Sequence, residues 1–245
     1  MCCFSKPVKL VADTNIFARA GEQGRQFLVY SMKVGAAEDL AMILPIPVPA
    51  NSKEDAVHFI NLEKYPEFFD DLRLGFPAPP ANKADLGGRA PRPTLTLPKV
   101  EVGSFVASFV PKIKDFARLD AEFRLPTSVW DKLPQYKDWG FAVFQLKKVE
   151  KKIHPMAFDF PRRDAQSLFF PTVHIHDGEV HPRAKFDHAL YCQSDSVKMM
   201  MDWRESARPA GMFMKVDKAQ GLLEPKKHCY RRRMVGTLKN EDTFV

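Results

Sequence analysis

The distribution of apolar positions along the chain favours short strands over long helices. Residues 8–18 and 25–34 read as strands, the second rich in β-branched and aromatic side chains and followed by Gly35. Residues 40–44 form a second apolar run. The intervening Gly35-Ala-Ala-Glu-Asp39 suits a hairpin with a longer loop. Pro45, Pro47 and Pro49 follow at every second position, and a proline cannot donate to a strand ladder. They therefore predict an edge strand or an extended exit. Residues 54–74 alternate acidic and apolar groups at helical spacing, with Phe59, Leu62, Phe68, Phe69 and Leu72 on the inner face and Pro66 starting a second turn or helix.

Further on, residues 100–110 and 140–146 alternate as strands. Residues 126–133 predict a short helix capped by Thr127 or Ser128. More β segments are expected around 154–160, 168–176, 179–193 and 227–238. Residues 196–207 are expected to be helical, with Met199, Met200, Met201 and Trp203 as core filler. The fold class expected is α+β, predominantly antiparallel β-sheet with a few short helices. The organisation is one β-rich domain over 1–245, or two packed halves, 1–75 and 100–245, joined by a Pro/Gly-rich loop over 76–99.

Composition agrees. The 245 residues include 20 Pro and 20 Phe but 12 Gly, which suits short strands and structured turns. No run of about 18 apolar residues predicts a membrane-spanning helix. The N-terminus lacks the apolar core of a secretory signal, so a reducing cytoplasm is expected, where four cysteines do not form a disulfide framework. The net charge of +7 lies mostly beyond residue 100, and 226–239 carries six Lys/Arg and no acid. Without a nucleic-acid module or stacking aromatics, this argues for a solvated basic strand and against nucleic acid as a partner. The substrate, small molecule or peptide, and the oligomeric state stay open. No P-loop, G-x-G-x-x-G or G-x-S-x-G pattern occurs.

The strongest chemical signal is Thr172-Val-His-Ile-His-Asp-Gly-Glu-Val-His-Pro182. Asp177-Gly178 is a favoured two-residue hairpin turn. With that turn, His176 faces Glu179 and His174 faces His181, so these four side chains share one face of the pleat. Opposed Cβ atoms about 4.5–5.5 Å apart would let imidazoles converge on one ion. The expectation is a cytosolic metal-binding protein, or a hydrolytic or oxidative metalloenzyme. Its ligands would be His174, His176, His181 and His188, with Glu179 as a further ligand or general base. Zinc, copper and iron suit such a set equally. Without a metal, the same pattern is an exposed or hydrogen-bonded histidine cluster.

Two alternatives accompany it. Removal of Met1 ahead of the small Cys2 would leave a thiol beside an α-amine with a pKa of about 8, the nucleophile and base of an amide hydrolase. The other is a non-catalytic interaction protein using its basic C-terminal region or its Pro-rich loop.

Cys2, Cys3, the turn with Gly35 and Asp39, and the apolar strand ending in Pro45-Ile-Pro47 resemble a bacterial family of uncharacterised proteins. The likeness covers about the first 75 residues. It implies a β-rich domain and carries no activity. Members are usually exported and favour tryptophan where this chain has Met42.

Overall fold

The computed structural model describes residues 2–8, 10–35, 38–77, 106–125, 127–146, 154–175, 179–198 and 200–245, with the side chains of Cys2 and Thr127 left aside. Its strands are β1 (Cys2–Phe4), β2 (Leu10–Ala20), β3 (Arg25–Gly35), β4 (Leu40–Ile46), β5 (His58–Asn61), β6 (Val106–Val110), β7 (Gly140–Leu146), β8 (Met156–Pro161), β9 (Phe169–Phe170), β10 (His174–Ile175), β11 (Arg183–Gln193), β12 (Arg204–Glu205), β13 (Tyr230–Lys239) and β14 (Thr243–Phe244). Two short helices join them, α1 (Phe68–Leu74) and α2 (Thr127–Asp131), with several 3-10 turns. The class is α+β, dominated by antiparallel sheet. No helix among the described residues is long and apolar enough to cross a membrane.

The first sheet runs β10-β1-β4-β7-β6, the second β12-β13-β11-β2-β3-β8-β5, and a third pairs β14 with β9. Two pairs are parallel, β1 with β10 and β2 with β11. The two large sheets face each other, and alternation decides what lies between them. Met42, Leu44, Ala142 and Phe144 of the first sheet meet Ile16, Leu28, Tyr30, Phe158 and Phe160 of the second in one core. The opposite faces are covered as well. Ala41, Ile43, Phe141 and Val143 lie under Phe116, Phe123 and Trp130. Phe17, Val29, Ala157 and Tyr191 lie under Phe68, Phe69 and Leu72 of α1 and under Met214 and Leu222. Sheets covered on both faces explain why residues 40–46 read as an unbroken apolar run and are all buried.

Several expectations change. Residues 25–34 and 40–44 do not form a hairpin, because β3 pairs with β2 and β8 in the second sheet while β4 lies in the first between β1 and β7. β4 is a central strand with only Pro45 inside it, and Pro47 and Pro49 lie just past its end, so of the two readings the prolines mark an exit and not an edge. Its register with β1 covers Met42 and Ile43, and Pro45 lies two residues past it, where no donor is needed on that side. Residues 58–61 are the edge strand β5, paired with β8, and only 68–74 is helical. Residues 204–205 are the strand β12, and Met201 is fully exposed. Finally, β10 does not pair back onto 179–181. It joins the first sheet beside β1, while β11 belongs to the second, so the chain crosses between sheets there.

Phe158 sits at the centre of the inter-sheet core, its ring against Phe59, Phe144 and Phe160 at centroid distances of 5.9–6.0 Å. Phe158→Ala removes contacts to both sheets and is expected to cost about 3–5 kcal/mol, measured by denaturant unfolding against the parent chain.

Candidate functional site

The crossing between sheets leaves residues 168–175 with little strand to pair with, and buried backbone groups need partners. The C-terminal residues supply them. Asp242 Oδ1 accepts the Thr172 and Val173 N–H groups at 2.9 and 3.1 Å, and its Oδ2 accepts the Tyr136 hydroxyl at 2.6 Å. Asn240 Oδ1 accepts the His174 N–H at 2.7 Å, while its Nδ2 donates to the carbonyls of His174 and His181, each at 2.9 Å. Leu168 and Val245 exchange two backbone bonds. Burial, reinforced by the Asp242 carboxylate, pushes the Tyr136 hydroxyl pKa well above its ordinary value, so it stays a donor.

The residues expected to hold a metal are distributed around this clamp. His174 and His188 are both buried, their ring centroids 4.5 Å apart across the two sheets. Phe186 packs edge-on to both. Cys2 of β1 is the register partner of His174. His181 and Glu179 are exposed, and Glu179 accepts from Lys132 Nζ at 2.7 Å. His176, with the Asp177-Gly178 turn, lies outside the described residues. The structure thus brings His174, His188 and the backbone of Cys2 together and places His181 and Glu179 at the surface. Among the described residues, no group of three His, Cys, Asp or Glu side chains is arranged to hold an ion.

The other thiols are enclosed. Cys3, Cys192 and Cys229 are buried, and burial pushes the Cys229 thiol up to about 12 and raises Cys192 likewise.

Sequence reasoning missed an open groove on the outer face of the second sheet, with a volume of about 500 Å³. A register shift between Ala12 and Asn15 bulges β2, with Asp13 at φ 53°. The Asp13 N–H donates to Asp187 Oδ2 at 3.0 Å. Its carboxylate meets Arg73 of α1 at 3.2 Å and Lys33 at 3.3 Å. Burial alone would raise its pKa, but Arg73, the Asn15 amide and Lys33 outweigh burial and hold it below the usual carboxylate range. Ala189 and Tyr191 form the floor. Arg231 and Arg233 rise from β13, with the Arg231 guanidinium 4.9 Å from the centre of the Phe76 ring. Burial, then the nearby Arg204 and Arg233 charges, lowers the Arg231 pKa from its very high ordinary value. Their period-two spacing was visible in the sequence, but the residues facing them come from distant segments.

No protein-family profile matches this sequence, and no curated protein matches it. Among solved structures the chain is similar to baculovirus P35, with a TM-score of 0.52 at 14% identity, covering 97% of this chain and 96% of that one. P35 in a complex with caspase-8 matches with a TM-score of 0.48 at 13% identity, covering 95% of each chain. A mutated P35 after caspase cleavage matches with a TM-score of 0.48 at 14% identity, covering 95% of this chain and 98% of that one. At these identities the likeness is one of fold. A P35-like fold, with no ion-holding group among the described residues, overturns the expectation of a metal-binding protein or metalloenzyme built on a histidine cluster. The physical reason is that His174 and Ile175 pair with β1 in the first sheet, whereas residues 179–181 lie in no strand and β11 beyond them joins the second sheet.

Two outcomes are expected. Asp242→Ala strands two backbone donors and the Tyr136 hydroxyl and should cost about 2–4 kcal/mol, read from the unfolding midpoint. Alkylation of the folded protein at mildly alkaline pH should leave Cys3, Cys192 and Cys229 unmodified, with labelling appearing only on unfolding; mass spectrometry reads the count.

Proposed function

We propose that this chain is a protein-binding protein without a catalytic reaction of its own, and that its partner is a peptidase of the caspase class. The observation that carries this is the correspondence of fold with P35 along nearly the whole of both chains. P35 is found in a complex with caspase-8 and in a form cleaved by a caspase. The sequence supplies a place for the encounter. Residues 78–105 join α1 to β6 and contain a single aspartate, Asp85, followed by Leu86, Gly87 and Gly88. The aspartate specificity in the name of the class makes Asp85 the point of attack within that segment.

The test mixes the full chain with active caspase-8 and follows three readouts: hydrolysis of a peptide substrate, co-elution on size exclusion, and the masses of any fragments. Inhibition with a co-eluting complex and a cut after Asp85, abolished in Asp85→Ala, is the expected result. Unchanged peptidase activity with no complex, for caspase-8 and a panel of its class, overturns the reading. Asp55→Ala, in the described part of the chain, should behave as the parent.

A further inference from the structure

The groove on the outer face of the second sheet does not enter the proposed function, and its charges are unevenly matched. Three consecutive arginines project alternately from β13. The middle one, Arg232, turns to the other side and meets Asp202 at 2.9 Å. Arg231 and Arg233 face the groove, and neither has a carboxylate within ion-pair distance among the described residues. Their Cα atoms are about 6.7 Å apart along the strand, so two long side chains can close on one group between them. Arg73 stands on the opposite wall but is already engaged by Asp13 and Asp70. Arg204, the register neighbour of Arg231, donates to the Pro77 carbonyl.

Arg231 is also held in place. Its guanidinium lies over the Phe76 ring, which in turn packs on Tyr191 at 5.7 Å. A guanidinium fixed in this way loses little freedom on meeting a ligand. A single carboxylate occupies one such fork, whereas a tetrahedral dianion offers acceptors to two. The other end of the groove differs. There Asp187, register partner of Val235, and Asp13 present carboxylates, which accept hydrogen bonds from hydroxyl or N–H groups and repel a second anion. The volume of about 500 Å³ exceeds that of a bare phosphate and falls in the range of small-molecule pockets.

We propose that this groove binds a small phosphomonoester whose phosphate sits between Arg231 and Arg233 and whose hydroxyl-bearing body reaches Asp187. The step is binding alone and requires no chemistry.

Calorimetric titration of the full chain with glycerol phosphate, inorganic phosphate, glycerol and an oligoglutamate peptide tests it. Glycerol phosphate should bind saturably in the millimolar range or tighter and glycerol should not bind; inorganic phosphate should compete. R231Q/R233Q keeps side-chain length and polarity, and an unchanged thermal midpoint shows that it folds. It should bind glycerol phosphate about tenfold or more weakly. Asp187→Asn should weaken glycerol phosphate and leave or improve inorganic phosphate. K226Q/K227Q, on the same basic stretch but outside the groove, should bind as the parent. Absent saturation, equal binding by R231Q/R233Q, equal loss in K226Q/K227Q, or preference for the peptide each overturns the proposal.

Discussion

A chain that passes from one sheet to another inside a protein core must find partners for backbone groups that have left their ladder. Here that demand falls on residues 168–175, and two side chains near the C-terminus meet it. Asp242 and Asn240 together engage the backbone of Thr172, Val173, His174 and His181. With those groups satisfied, β10 can lie beside β1 and β1 beside β4, which completes the first sheet. The tail also closes the end of the molecule, where Phe244 and Phe169 pack on Trp139. Much of the architecture therefore rests on a few short polar contacts rather than on apolar area alone.

Those contacts explain why the histidines read one way in sequence and another in space. His174-Ile-His-Asp-Gly-Glu has every local feature of a hairpin, and local features are what a sequence displays. The competing partner, β1, lies at the far end of the chain and leaves no local mark. Strands were legible where the run itself is strongly apolar and β-forming, whatever its partners: 25–34, 40–44 and 140–146 all lie within or nearly coincide with observed strands. Residues 58–61 and 204–205 were read as helix because apolar spacing in short polar stretches fits both periods. Both are edge strands, β5 recruited by the distant β8 and β12 by the next strand, β13. The groove was half legible. Arg231 and Arg233 declare their shared face by spacing, but Asp13, Arg73 and Asp187 meet them only through the bulge in β2 and the packing of α1.

The layered core also bears on the proposed encounter with a peptidase. Residues 78–105 begin beyond a helix packed on the outside of the second sheet and end in β6, at the margin of the first. Both anchors belong to well-packed layers, so a partner engaging the intervening chain meets a scaffold already organised on either side. The phosphomonoester groove lies near one anchor, since Phe76 just precedes that segment and forms part of its wall.

The clamp has a further consequence for how the protein comes into being. β1 can pair early with β4, but its other edge stays open until β10, far along the chain, folds back beside it, and β10 is held in turn by Asn240 and Asp242. β2 likewise waits for β11 as its parallel neighbour. Most of the pairing that closes the molecule is long-range, and such topologies fold slowly because loop closure precedes reward. The β2–β3 hairpin is a local pairing, whereas the two main layers close only where segments distant in the chain meet, as β4 does with β7.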